Sequence, residues 1–208
     1  MDRPSGLRSL VIALVLSSAG LFAAPVWASL QVFSPIGGNQ VFAVPVGIVD
    51  LNLILWAGGE GGSVGAAGIG GGLASGDIAV TPGEFLVIFV GAGGAAGGFD
   101  GQDSFIKRGS TFLLDAAGGG SGLSGLMDPS VTGGSLLATS TSTPPGTGDP
   151  NYAAGVAVGG TSSTAAGGPG RVVVSWDVSP VPEPMTMVLG GTGLLALAYA
   201  GRRRLFGR

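Results

Sequence analysis

Two aspartates in the stretch GGFDGQDS, Asp100 and Asp103, form the only close acidic pair within a glycine turn of this sequence. Calcium favours carboxylate and backbone carbonyl oxygens in flexible loops, so this pair is a candidate calcium site. Because two carboxylates are too few ligands, carbonyl oxygens and water would have to complete the coordination shell. The alternative interpretation is that both aspartates form turns by accepting hydrogen bonds from nearby backbone groups.

Histidine and cysteine are both absent from the 208 residues. The commonest general base, the commonest transition-metal ligand and thiolate chemistry are therefore missing. Carboxylates remain, and a pair of them could hydrolyse a polysaccharide.

Residues 29–180 carry ten acids against three bases, namely Asp50, Glu60, Asp77, Glu84, Asp100, Asp103, Asp115, Asp128, Asp149 and Asp177 against Lys107, Arg108 and Arg171. This acidic balance disfavours nucleic acid as a partner, because Lys and Arg contacts to phosphate dominate such binding.

A loose G-x-G-x-x-A pattern covers residues 91–96. A dinucleotide site also needs a helix that begins there and holds the pyrophosphate at its N-terminus. The residues that follow, GGFDGQD, do not favour a helix, so we treat the pattern as a product of composition. We therefore predict no cofactor and no catalytic residue.

Three aromatic residues, Trp56, Tyr152 and Trp176, could stack on sugar rings. Aromatic residues on strands belong more often to the core, because burying them is strongly favourable. We expect the core role for all three. Lys107 and Arg108 are expected at the solvated tip of a hairpin.

The elements that would position these residues are strands, because residues 29–180 show no helical period. Residues 48–56 alternate between apolar and polar side chains, which is typical of a half-buried strand. Residues 85–90 are apolar throughout, which favours a central strand. A hairpin is predicted from residues 104–107 and 111–116, with its turn at Arg108 and Gly109. Further strands are predicted at residues 40–44, 77–80, 152–158 and 171–178.

Glycine accounts for 43 residues and gathers in runs at 57–76, 91–98, 118–125 and 159–170. A collagen-like Gly-X-Y period is absent, which excludes a triple helix. Glycine loses more backbone entropy on ordering than any other residue, which favours flexible loops. Without side chains, however, extended glycine segments could approach closely and hydrogen bond to one another. Both alternatives stay open, and residues 139–150 are predicted to form a mobile loop.

Both ends of the chain are predicted to be targeting segments. Residues 1–28 have a basic start at Arg3 and Arg8, an apolar stretch and small residues before a cleavage site after Ala28, as in a secretory signal peptide. Export through the Sec translocon and cleavage by signal peptidase are therefore expected. The remaining domains are a body at 29–180 and a C-terminal segment at 181–208.

The C-terminal segment has three parts in a fixed order. The residues VPEP contain Pro182, Glu183 and Pro184, which cannot lie inside a continuing helix. An uncharged apolar stretch at 185–201 is just long enough to span a bilayer as a helix. A basic tail at 202–208 follows, beginning with Arg202, Arg203 and Arg204. Basic residues beside a span stay cytoplasmic, which places the body on the far side of the membrane.

This order resembles the PEP-CTERM sorting signal of Gram-negative bacteria. The resemblance implies recognition by a membrane-embedded exosortase, removal of the tail and delivery to the cell surface or extracellular matrix. It also implies an association with exopolysaccharide. An ordinary C-terminal membrane anchor is the alternative.

The body is similar to the glycine-rich domains of bacterial surface proteins and phage tail adhesins. The similarity rests on VFAVPVG, a strand ending in Trp-Ala-Gly-Gly, IAVTPGE before FLVIFVGAGG, and the closing GGPGRVVVSW. It implies an all-β fold, a small jelly-roll-like β-sandwich with glycine-rich loops or polyglycine-II segments. An N-terminal signal helix and a C-terminal transmembrane helix would flank it.

Two classes of function follow from these observations. The first is an exported, non-catalytic surface or matrix protein with a structural or adhesive role. The second is a secreted, carboxylate-dependent enzyme that processes a polysaccharide. The sequence favours the first, because only Asp100 and Asp103 are grouped among its acids.

Overall fold

The computed structural model describes residues 27–122 and 125–178. The PEP motif, the predicted span at 185–201, the basic tail and nearly all of the predicted signal peptide lie outside these residues. Ala28, the predicted cleavage residue, lies in the first strand. The described residues form strands, turns and irregular segments, and none of them is helical. By its internal contacts, the chain from Ala28 to Asp177 forms one compact unit.

The described chain is all-β, with two antiparallel five-stranded sheets. The first sheet has the order β1-β10-β3-β4-β9 and the second has the order β2-β5-β6-β7-β8. The strands are β1 (Trp27–Phe33), β2 (Gln40–Ala43), β3 (Asp50–Trp56), β4 (Leu73–Ala79), β5 (Phe85–Phe89), β6 (Ser104–Arg108), β7 (Thr111–Ala116), β8 (Leu126–Met127), β9 (Thr132–Leu137) and β10 (Arg171–Val178).

Alternating side chains from both sheets form one hydrophobic cluster. In β3, Leu51, Leu53 and Leu55 point into it, and their exposed fraction is at most 1%. The second sheet contributes Ile88 and Ile106, which are fully buried partners on neighbouring strands. The period-two pattern of β3 is therefore confirmed, and burial of these side chains is the main favourable term for the fold.

Several strand predictions are confirmed, and one is wrong. β6 and β7 pair as the predicted hairpin, and β5 is an interior strand between β2 and β6. Only one face of β5 is buried, however, since Phe85 is 66% exposed. Residues 152–158 form turns and not a strand. The backbone there bonds to irregular segments, since the Ala157 N–H donates to the Pro169 carbonyl and the Gly159 N–H to the Ser142 carbonyl.

The glycine runs are hydrogen-bonded through their backbones around one extended segment, residues 57–62, which we call the central segment. Its N–H groups donate to three neighbouring segments in rotation, so that every third residue returns to the same neighbour. Residues 57 and 60 donate to the first neighbour, at residues 72 and 69 respectively. Residues 58 and 61 donate to the second, at residues 102 and 99, and residues 59 and 62 donate to the third, at residues 168 and 165. The predicted loop at 139–150 joins this network, because the Thr141 carbonyl accepts from the Gly70 N–H.

Three further segments donate to the carbonyls of the central segment. Gly119 donates to Gly58, Gly94 to Gly59 and Gly160 to Glu60. The central segment therefore has neighbours on six sides, three that accept from it and three that donate to it. In this crowded position the buried N–H and C=O groups are satisfied by other backbone groups.

Glycine is required in the central segment because the neighbouring carbonyl oxygens occupy the space of a side chain. A Cβ atom on Gly58 would lie 2.0 Å from the Ala92 carbonyl oxygen, and one on Gly59 would lie 2.0 Å from that of Val158. Both distances are far below van der Waals contact, and the obstructing atoms are backbone.

We expect Gly59→Ala to lower the free energy of unfolding by about 3 kcal/mol, the upper end of the usual cost of overpacking. Urea denaturation of the purified chain would measure the change. Gly148→Ala is the matched control, because no atom lies within 4 Å of its added Cβ. The control should stay within about 0.5 kcal/mol of the parent. Equal stabilities of the two variants would contradict the close-packed arrangement.

Candidate docking face

The two aspartates of the predicted calcium site lie beside the glycine run that begins at Gly118. The Asp103 Oδ1 atom accepts a hydrogen bond from the Gly118 N–H at 2.7 Å. Asp100 lies next to Glu60, because a Cβ on Gly120 would lie 2.5 Å from Asp100 Oδ1 and 3.0 Å from Glu60 Cδ. Asp103 therefore holds two distant parts of the backbone together, which is a long-range contact and not the local turn that the alternative interpretation expected.

The described residues contain no group of three or more acidic side chains that could hold a metal ion. Calcium binding by Asp100 and Asp103 stays a prediction, and it would need backbone carbonyls and water as the other ligands.

The three aromatic residues considered for sugar stacking contribute to the interior. Trp56 is fully buried, donates from Nε1 to the Pro145 carbonyl at 3.1 Å and packs edge-on against Tyr152. Trp176 packs against Phe42, which belongs to the core shared by the two sheets. The expectation of a core role is confirmed for Trp56, and the other two pack against core residues.

The sequence predicted that Lys107 and Arg108 would be solvated at a hairpin tip, but both side chains make contacts within the protein. The Arg108 guanidinium pairs with Glu84 and donates to the Ala79 carbonyl, so it ties the hairpin to the turn before β5. The Lys107 ammonium lies over two aromatic rings, 4.5 Å from the centroid of Phe105 and 3.8 Å from that of Phe112. These contacts are cation–π interactions.

The outer side of the second sheet carries a row of aromatic and apolar side chains, which we call the aromatic face. Its members alternate with the buried residues of the same strands and point away from the core. They are Val41, Phe85, Phe89, Phe105, Phe112 and Leu126, with Lys107 and Asp115 among them. Exposed apolar surface of this kind usually marks a contact with another molecule.

Much of the aromatic face is open to solvent. Val41 is 61% exposed, Phe85 66% and Leu126 59%. The rings of Phe89 and Phe105 stack with their centroids 5.1 Å apart, and Phe112 packs edge-on against Phe105. Such ring pairs are favourable beyond their burial, so the rings hold one another in place.

A bulge in the hairpin brings Phe112 to this face. The register of β6 and β7 shifts between Ile106 and Lys107, so that Lys107 lies opposite Phe112. Without the extra residue, Phe112 would point to the same side as the buried Leu114, because side chains alternate along a strand. No local pattern in residues 104–116 predicts this bulge.

Asp115 is the acidic member of the face and is partly desolvated. The pKa of Asp115 is raised to about 6, first by burial and then by the nearby Asp103 carboxylate, while the Lys107 ammonium opposes both effects. Its Oδ1 atom is buried and accepts no hydrogen bond within the described part of the chain. An unpaired buried carboxylate is costly, which explains why the charged form of Asp115 is disfavoured relative to that of an ordinary aspartate.

Comparison with protein-family models finds no match for this chain, and none of the curated proteins matches it. The resemblances described above therefore stay expectations drawn from the residues themselves.

The Asp115 carboxyl should make the protein more stable in acid. Its pKa in the folded state is raised from the ordinary 3.8 to about 6, so its contribution to stability is present below 3.8 and is lost as the pH rises through 6. Asp115→Asn should remove this part of the pH dependence and stabilise the protein at neutral pH. Thermal melting across that pH range would measure both effects.

Asp128→Asn is the control for this experiment. Hydrogen bonds from Ser130 lower the pKa of Asp128, so its contribution has the opposite sign and is lost as the pH falls. A neutral-pH melting temperature of Asp115→Asn equal to or below that of the parent would contradict the assignment.

Proposed function

We propose that this chain is an exported, non-catalytic protein of the cell surface or extracellular matrix, with a structural or adhesive role and an association with exopolysaccharide. In this proposal it is an exosortase substrate that reaches the membrane as an anchored precursor. The PEP-CTERM resemblance of residues 181–208 supports the sorting route.

The observation that carries the non-catalytic part is the use of the carboxylates. Of the ten acids between residues 29 and 180, six accept hydrogen bonds from other described residues, namely Glu60, Asp77, Glu84, Asp103, Asp128 and Asp149. Their partners are backbone N–H groups and the side chains of Asn52 and Arg108. Carboxylates committed in this way hold turns and loops in place.

We also propose that the body is a jelly-roll-like β-sandwich with a polyglycine-II bundle, as in the glycine-rich domains it resembles. The shared hydrophobic cluster of the two sheets supports the sandwich. The three-residue rotation of hydrogen bonds from the central segment supports the bundle, because an extended helix with three residues per turn directs its N–H groups in three directions. Such a body would suit a load-bearing or adhesive role.

The mass and location of the mature protein in its own host test the sorting proposal. We expect a form that begins at Ser29, has lost the residues beyond the PEP region and lies outside the inner membrane. In a strain without exosortase, this form should be replaced by a membrane-bound chain with an intact tail. An intact C-terminus in both strains would mean that residues 185–201 are a permanent anchor, and the sorting proposal would be wrong.

One observation favours the enzyme alternative. Asp115 has a raised pKa and lies near the Asp103 carboxylate, and polysaccharide hydrolysis uses a pair of carboxyl groups of which the acid has a raised pKa. Zymography with the host's exopolysaccharide separates the two functions. Activity that is abolished by Asp115→Asn would establish the enzyme, whereas retention of inactive protein on the same polymer would support the adhesive role.

A further inference from the structure

The aromatic face needs an explanation beyond the stability of the sheet. Its outermost side chains, Val41, Phe85 and Leu126, are each more than half exposed. The opposite side of the same strands already supplies the core, since Leu86, Ile88 and Ile106 are fully buried there. An antiparallel sheet normally has polar residues on its second face, so apolar residues on both faces indicate a contact with a partner.

The arrangement of the rings suits an apolar environment better than a flat ligand. Phe89 and Phe105 stack on each other, and Lys107 lies over the faces of Phe105 and Phe112. The ring faces between Phe89 and Phe105 and those beneath Lys107 are thus engaged within the protein. Phe85, Val41 and Leu126 supply the apolar surface that is most open to solvent. Phe and Leu side chains insert at the headgroup boundary of a bilayer, and a neighbouring lysine can keep its ammonium in a polar environment while its stem lies along apolar surface.

In the proposed anchored precursor, the connection to the span is long enough to allow this face to reach the bilayer. β10 ends at Val178 and the predicted span begins at Met185, which leaves residues 179–184 as the connection. At about 3.5 Å per residue, these residues reach roughly 20 Å. Two packed sheets are about 10 Å apart, so this reach is enough for the body to turn its second sheet towards the membrane.

The net charge of the body and the area of the aromatic face favour a zwitterionic lipid surface over an anionic one or a second copy of the chain. Among the described residues, the bases are Lys107, Arg108 and Arg171, and Arg108 is already paired with Glu84. A body with ten acids and three bases is repelled by anionic lipids but not by zwitterionic ones. Five short strands present roughly 350 Å² per copy, so a symmetric dimer through this face would bury about 700 Å², which is less than a stable interface needs.

We propose that the aromatic face of the anchored precursor docks on the zwitterionic bilayer surface, with Phe85, Val41 and Leu126 in the headgroup region. Lys107 and Asp115 lie on strands between Val41 and Leu126, so their charged groups would lie among the polar headgroups. This inference rests on the membrane-anchored precursor of the proposed function. Removal of the tail would end the tethering, and the face would be released together with the body.

The absence of cysteine allows a direct test with single labels. Full-length Val41→Cys and Leu126→Cys chains would carry an environment-sensitive fluorophore and be reconstituted into phosphatidylcholine vesicles. Val64→Cys is the matched control, because Val64 is 92% exposed in a turn away from the aromatic face. We expect both face labels to shift to shorter emission wavelengths, to lose quenching by aqueous iodide and to be quenched by lipid-borne nitroxides. The control label should show none of these changes.

Two failures are distinguishable. If alkaline carbonate extracts the chain from the vesicles, residues 185–201 do not anchor it, and both the anchored precursor and the docking are wrong. If the chain is retained but the face labels respond to iodide like the Val64 label, only the docking is wrong. Protection from iodide without nitroxide quenching would indicate a protein contact and would also overturn the inference.

Discussion

The rotation of backbone hydrogen bonds around the central segment is the constraint on which the remaining structure depends. An extended segment surrounded on six sides has no room for side chains at two of every three positions. The residues that meet this demand here are Gly58, Gly59, Gly61 and Gly62, and each would place a Cβ within 2.2 Å of a neighbouring carbonyl oxygen. Ordering so many glycines costs more backbone entropy than any other residue would, and the dense hydrogen bonding has to offset that cost.

The sheets and the glycine segments are continuous with one another. β3 ends at Trp56 and the central segment begins at the next residue, while β10 begins directly after Gly170. The Ser104 side chain marks such a junction, because its hydroxyl accepts from the Gly91 N–H and donates to the Trp56 carbonyl. The hydrophobic cluster therefore fixes where the glycine segments start, and the segments hold together strands from both sheets.

Sequence reasoning predicted the all-β class, the alternation of β3 and the β6–β7 hairpin, because these depend on local patterns. It missed a repeat in AGGEGGS, residues 57–63, in which one residue with a side chain is followed by two glycines. This period of three matches the rotation of the hydrogen bonds. The partners of that segment are distant in the chain, so no local pattern could identify them. The aromatic face could not be predicted either, because local patterns do not show which apolar side chains point outward. Phe85 to Phe89 read as apolar on both sides, and the bulge that turns Phe112 outward has no sequence signal.

The position of the central segment has a consequence for how the chain folds. Its six neighbours come from later parts of the body, as far along as Gly168 and Gly160. The segment cannot complete its hydrogen bonds until almost the whole body is available, so contacts of high sequence separation must form late and together. Folding should accordingly be slow and highly cooperative. In the proposed export through the Sec translocon, which passes only extended polypeptide, a chain that stays unfolded until its last strand is available would be ready for passage.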